Sequence, residues 1–197
     1  MRRAHFFTHP EVVIDPEVPV PEWELSELGQ GRAEHLAARL SGIGSLWASP
    51  EVKAAQTSRI IGAGVGLEAI TVDGLAEMDR SSTGYLPEPE FWATYQEFLA
   101  MPSQSSRGWE TAVAAQRRIV AAVDGVLASH TGSDTDVAVV SHGGVGALLL
   151  CQLLGTPIQR LVDQPRQGSH FSFDADSREV LSGWQVYEDI TQPTEVS

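Results

Sequence analysis

Six histidines occur in the chain, at positions 5, 9, 35, 130, 142 and 170. Two of them stand where α/β proteins place reactive groups. His9 follows the aromatic and β-branched run Ala4–Thr8, and His142 follows the apolar run Val137–Ser141; Pro10 and the Gly143-Gly144 pair break the chain just beyond them. Both runs read as buried strands. An imidazole at such an end can ligate a metal, act as a general base or attack an electrophile itself. A metal site needs three or four ligands, and a single cysteine and scattered acids do not complete such a set. Ser49 and Ser141 lack the Gly-x-Ser-x-Gly elbow of a serine hydrolase, and a Gly-x-x-x-x-Gly-Lys phosphate loop is missing. Phosphoryl transfer through a histidine nucleophile needs the fewest parts. It takes one imidazole nitrogen facing phosphorus, cations or N–H donors around the oxygens, and an acid for the leaving group. On spacing alone the plainer alternative, two satisfied polar residues near the surface, stays open.

The elements that must position these residues follow from the pattern of apolar residues. After the first strand, prolines at 10, 16, 19 and 21 force a loop from Pro10 to Glu24. Ser26 is an N-cap for a helix to Leu40, whose expected inner face holds Leu25, Leu28, Leu36, Ala37 and Leu40. A short strand, Ile43–Trp47, leads through Ser49-Pro50 into a helix over 51–61, expected to stop at Gly62, Gly64 and Gly66. Residues 68–72 read as a third strand, Ala76–Pro89 as a loop, and 90–99 and 109–129 as helices. A last helix over 145–154 and an antiparallel pair at 171–173 and 179–187 close the chain. Strands alternating with helices predict a three-layer α/β/α domain around a mostly parallel twisted sheet, spanning 1–197, with a small helical cap at 81–109. In such sheets ligands bind beyond the carboxyl ends of the strands.

Composition narrows the partners. The formal net charge of −13 repels nucleic acid over a Debye length of about 8–10 Å. No apolar run reaches the ~18 residues of a membrane span, and the N-terminus lacks the features of a signal peptide. Cys151 stands alone, so an internal disulfide is excluded. The expectation is a cytoplasmic protein with no nucleic-acid or membrane partner, whose ligand is a small phosphorylated or anionic molecule held by a compact set of cations.

Five segments taken in order resemble the histidine phosphatase superfamily, of phosphoglycerate mutase-like fold. That family opens with a strand and Arg-His-Gly-Glu, matched here by Thr8-His9-Pro10-Glu11. Its "LTELGxxQAxxLAxxL" is similar to 25–40, and its "SSPLxRAxQTA" resembles 48–58. A Leu-x-Glu, matched by Leu75-Ala76-Glu77, and "VVSHGG", matched by 139–144, complete the series. The resemblance covers about residues 4–183. It implies a phosphomonoester hydrolase that needs no cofactor. His9 would be the nucleophile that becomes phosphohistidine, His142 the group stabilising the phosphoryl oxygens, and Glu77 the acid for the leaving oxygen, its pKa raised by burial or by a neighbour such as Asp79.

The sequence departs from this pattern at both pocket arginines, where Thr8 and Lys53 stand instead. A guanidinium grips two phosphoryl oxygens; an ammonium is a point charge, and a hydroxyl is neutral. Arg80, three residues past Glu77, is the expected compensating cation, with Arg59 and Arg107 as lesser candidates. Tyr85 is the aromatic expected to line the mouth of the site. Two readings follow: a phosphatase with an altered phosphate pocket, or a weak or inactive family member that binds a phosphorylated or anionic ligand.

Overall fold

Strand β1 (Arg3–Thr8) is the centre of the molecule. Its side chains alternate, so Phe6 faces one side of the sheet and Phe7 the other, both almost fully buried. The computed structural model describes residues 1–159 and 162–190; the ends of the domain expected over 1–197 beyond residue 190 lie outside the described residues. Among these, five α-helices and six strands follow in the order β1, α1 (Glu27–Ala37), β2 (Ile43–Ala48), α2 (Val52–Val65), β3 (Ile70–Thr71), α3 (Glu88–Ala100), α4 (Ala112–Ser129), β4 (Asp136–Ser141), α5 (Gly143–Leu153), β5 (Ser169–Asp174) and β6 (Val180–Val186).

The sheet order is β3-β2-β4-β1-β5-β6. The pairs β1–β4, β2–β4 and β2–β3 are parallel, whereas β5 and β6 join antiparallel. Each face carries its own apolar cluster. Phe6, Val137, Val139, Phe171 and Phe173 pack with Ile119 and Val123 of α4 and Leu148 and Leu149 of α5. Phe7, Leu46, Ala138 and Val140 pack on the other side with Leu36 of α1 and Ile61 of α2. Helix–sheet–helix layering is therefore a direct consequence of period-2 strands buried on both faces. No helix among the described residues is long and apolar enough to cross a membrane.

The structure corrects several boundaries. Helix α1 ends at Ala37, and Leu28, expected on its inner face, is 63% exposed. Helix α2 runs through Gly62 and Gly64 and ends only at Gly66, which takes the left-handed conformation at φ 73°. At Gly64 a Cβ would stand 2.9 Å from the Cβ of Ala37, so this glycine allows α1 and α2 to approach closely instead of breaking the helix. Strand β3 is only Ile70–Thr71, an exposed edge. Helix α4 begins at Ala112 because the Thr111 hydroxyl accepts the Ala114 N–H, and α5 begins at Gly143, with the glycine pair inside its first turn.

Register positions the site. Thr8 lies beside Ser141, and Ala48 beside Val140. The next residues, His9, Ser49 and His142, therefore emerge in one row from three parallel strands. Backbone bonds fix the row: the His9 N–H donates to Ser141 O at 3.1 Å and the Ser49 N–H to Val140 O at 2.9 Å.

Candidate active site

His9 and His142 face each other with ring centroids 5.3 Å apart and planes inclined by 63°. His9 is tied on one side only. Its Nδ1–H donates to the carbonyl of Pro10 at 2.9 Å, which leaves Nε2 unprotonated with its lone pair available. Pro10 thus removes a backbone donor but supplies the acceptor that sets the tautomer. The imidazole is neutral: burial first, then the neighbouring His142 and Lys53, push its pKa down to about 3.

His142 is fully buried, and burial followed by Lys53 and Arg80 holds it well below the ordinary histidine range. Its Nε2 lies 2.7 Å from Ser49 Oγ. That oxygen also accepts the Glu51 N–H at 3.3 Å; where the Ser49 hydroxyl donates to Nε2, the ring proton is on Nδ1. Among the described residues Nδ1 has no partner. In that tautomer it is a buried donor suited to an oxyanion.

The loop after His9 is locked by Arg32, a guanidinium only 6% exposed. It donates to both Glu11 oxygens at 2.8 Å, to Glu188 at 2.7 and 3.0 Å, and to the carbonyls of Gln167 and Gly168. The Tyr187 hydroxyl reaches the Thr8 carbonyl, and Gly168 N–H donates to the His9 carbonyl at 2.9 Å.

Glu77 projects over the N-terminus of α5. Its carboxylate accepts the N–H groups of Gly144 at 3.0 Å, Val145 at 2.9 Å and Met78 at 3.1 Å. Burial and the carboxylate of Glu51 raise its pKa, against the lowering effect of those N–H bonds. The neighbour that matters is Glu51 and not Asp79, whose carboxylate is engaged by Ser81 and held below the usual range. Arg118 holds the strand-to-helix loop from behind, donating to the carbonyls of Gly74, Ala76 and Glu77 and pairing with Glu110.

The three residues expected to bind phosphate have different surroundings. Lys53 reaches the site but is already paired: its buried ammonium contacts Glu51 Oε2 and donates to the Val20 carbonyl at 2.8 Å. Thr8 does not line the cavity. Its hydroxyl donates to Gln164 Oε1 at 2.7 Å and accepts the Ser169 N–H at 3.1 Å, so it is spent on fastening the 164–169 segment. Arg80 does line the cavity, its guanidinium 5.1 Å from the centre of the Phe91 ring. No described side chain accepts a hydrogen bond from it or pairs with it. Arg107 pairs with Glu90 at the surface, and Arg59 is exposed.

These groups share a cavity of about 920 Å³. Its sheet end is formed by His9, Glu51, Lys53, Glu77, Arg80 and His142; its walls include Val20, Trp23, Met78, Phe91, Trp92 and Tyr95. Tyr85 is not on the wall. It packs against Trp23 at 5.8 Å between ring centroids, and Trp92, exposed at 38%, takes the lining position. His170, in β5, stacks on Phe7 at 5.5 Å on the far side of β1. Among the described residues, no cluster of histidine, cysteine, aspartate or glutamate is arranged to hold a metal ion.

Glu51 and Gln164 are the residues that sequence reasoning missed. Glu51 occupies the leucine position of the "SSPL" motif, a charged residue at a place expected to be apolar, and that mismatch is its only signal. Gln164 comes to the site through a loop distant in sequence, which no local pattern marks.

Residues 19–181 match the model of the histidine phosphatase superfamily, branch 1. The chain belongs to that superfamily. Solved structures agree in fold. A mycobacterial glucosyl-3-phosphoglycerate phosphatase in complex with inorganic phosphate superposes with a TM-score of 0.75 at 21% identity, covering 94% of this chain and 95% of its own. YhfR of Bacillus stearothermophilus gives 0.77 at 19% identity, with 92% and 95% covered. A phosphoserine phosphatase variant from Entamoeba histolytica, in complex with phosphoserine, gives 0.75 at 15% identity, with 95% and 98% covered. The comparison with curated protein sequences gives no match.

Proposed function

We propose that this protein hydrolyses a phosphomonoester through a phosphohistidine on His9. The observation that carries the reading is the pairing of a neutral imidazole, tied at Nδ1, with an unpartnered buried ring nitrogen of His142 across 5.3 Å between ring centroids. His9 Nε2 attacks phosphorus, the bond from phosphorus to the ester oxygen breaks, and the leaving oxygen takes a proton from Glu77. Water then attacks the phosphohistidine, with the Glu77 carboxylate as base. Arg80 and His142 Nδ1–H supply the charge and donor for the phosphoryl oxygens. The named phosphatases of the same fold support the class of substrate, a small phosphorylated molecule. A cytoplasmic setting is part of the proposal and rests on the single, buried Cys151.

A phenyl phosphate assay of wild type and His9→Ala tests it: the variant loses turnover by at least a thousandfold, and equal rates reject the reading. The commitment of Lys53 to Glu51 and of Thr8 to Gln164 favours a second reading, a weak or inactive member that binds an anionic ligand in the same cavity. Binding of inorganic phosphate without turnover of any ester distinguishes it.

A further inference from the structure

We propose that Glu51 tunes the pocket to the singly charged form of the substrate phosphate; this rests on the phosphatase reading and names the protonation state of its substrate. Glu51 is 8% exposed and stands inside the cavity that holds both imidazoles. One of its oxygens takes the Lys53 ammonium. The other accepts the Glu77 N–H at 2.8 Å and lies 3.5 Å from His142 Nε2.

The charged groups facing Glu51 can be counted element by element. From α2 comes Lys53, positive. The loop after β3 brings Glu77, negative when ionised, and Arg80, positive. His9 beyond β1 and His142 beyond β4 are neutral imidazoles, and Arg118 of α4 stands behind Glu77, paired with Glu110. With Glu51 and Glu77 ionised, two carboxylates offset Lys53 and Arg80; with Glu77 protonated, as its role as acid requires, the surplus is a single positive charge. Thr8, at the position of the first family arginine, adds no charge, and its hydroxyl is held by the neutral amide of Gln164.

A phosphate dianion entering such a pocket meets the Glu51 carboxylate, and that of Glu77 when it is ionised, with at most one surplus cation. The monoanion halves that repulsion and brings an O–H that can donate to a carboxylate oxygen. Phosphomonoesters exchange the two forms near a pKa of about 6, so the choice is available under ordinary conditions. Glu51 has a second, opposite consequence. Its charge helps hold the proton on Glu77, so removing it strengthens dianion binding while weakening the supply of the proton for the leaving group.

The test is the affinity for inorganic phosphate, measured by calorimetry at about pH 5.5 and about pH 8.5, together with kcat for phenyl phosphate across the same range. Wild type binds phosphate at least tenfold more weakly at the higher pH. Glu51→Gln keeps the volume and the bond from Glu77 N–H, binds phosphate at least tenfold more tightly than wild type at the higher pH, and moves the falling limb of kcat to lower pH. A residue that only supports the fold would lower affinity and kcat together. Parallel affinity profiles, or weaker binding by the variant at both pH values, overturn the proposal. Glu51→Leu, with the residue of the family motif, gives the same result should the glutamine variant fail to fold. Because phosphate binding is read without turnover, loss of the phosphohistidine reading through an active His9→Ala leaves this titration decisive for Glu51.

Discussion

Arg80 is the cation on which phosphate affinity should depend most. Lys53 is neutralised by Glu51, and Arg32 and Arg118 are committed to carboxylates and carbonyls. Arg80 lines the cavity, half-buried, and among the described residues its guanidinium rests on the face of Phe91 at 5.1 Å without a hydrogen-bonded carboxylate. Replacing it with alanine removes one charge-assisted contact to the phosphoryl oxygens, about 1.5–3 kcal/mol. If that contact is complete in the transition state, kcat/KM falls by about ten- to hundredfold at ~1.4 kcal/mol per decade. The cost to stability is small, because no ion pair is broken; loss of the cation–π contact is worth about 0.5–1 kcal/mol. In a chain of this size that lowers Tm by about 1–4 °C. Arg80→Lys keeps the charge but not the planar fork, and its rate should fall between the two. The assay is kcat/KM for phenyl phosphate with Tm from a thermal scan. An Arg80→Ala protein within twofold of wild type in kcat/KM would refute the assignment of this guanidinium to the phosphate.

Other outcomes follow from the same structure. Arg32→Ala strips the support from Glu11, Glu188 and two carbonyls, and should destabilise the fold by about 2–4 kcal/mol in urea, below the full buried-pair range because Glu188 is partly solvated. Glu188 is held down at about 2, chiefly by its bonds to Arg32, so its contribution is present above the ordinary glutamate range near pH 4.5 and is lost as pH falls through about 2. Glu188→Gln should therefore flatten the fall of the urea midpoint across that window, and an unchanged slope contradicts the pairing. The His9 ring, held at about 3, should show no titration between about pH 5 and 8 in its NMR spectrum, and a midpoint near the ordinary histidine value would contradict its burial. Gly64→Ala drives a Cβ to 2.9 Å from that of Ala37 and should cost about 1–3 kcal/mol in thermal or urea unfolding.

Much of the frame was legible because it is periodic. Ala4–Thr8 and Val137–Ser141 are short apolar runs with breakers behind them, and their parallel register brings His9 and His142 together. Glycines misled where packing overrode propensity: Gly62 and Gly64 are poor helix formers, yet they stay within α2 where it meets its neighbours. Leu28 shows the reverse, an apolar residue on a helix whose face points to solvent. Within the site, the imidazoles, Lys53, Glu77 and Arg80 come from segments with recognisable motifs. The state of Lys53 was not legible, since a salt bridge two residues away depends on where the Glu51 side chain turns. Thr8 was misread for a similar reason: its partner, Gln164, is 156 positions away. Trp92 takes the lining place expected of Tyr85 because which side of α3 and its loop meets the cavity is a matter of tertiary packing.

The central claim is chemical and can be read directly on the protein. Rapid quenching of the enzyme with a labelled phosphomonoester, followed by mass spectrometry under alkaline conditions that preserve phosphoramidate bonds, should find one acid-labile phosphoryl group on His9 and none in His9→Ala. Turnover that proceeds with no phosphoryl group on His9, or with one on a different side chain, would contradict the account.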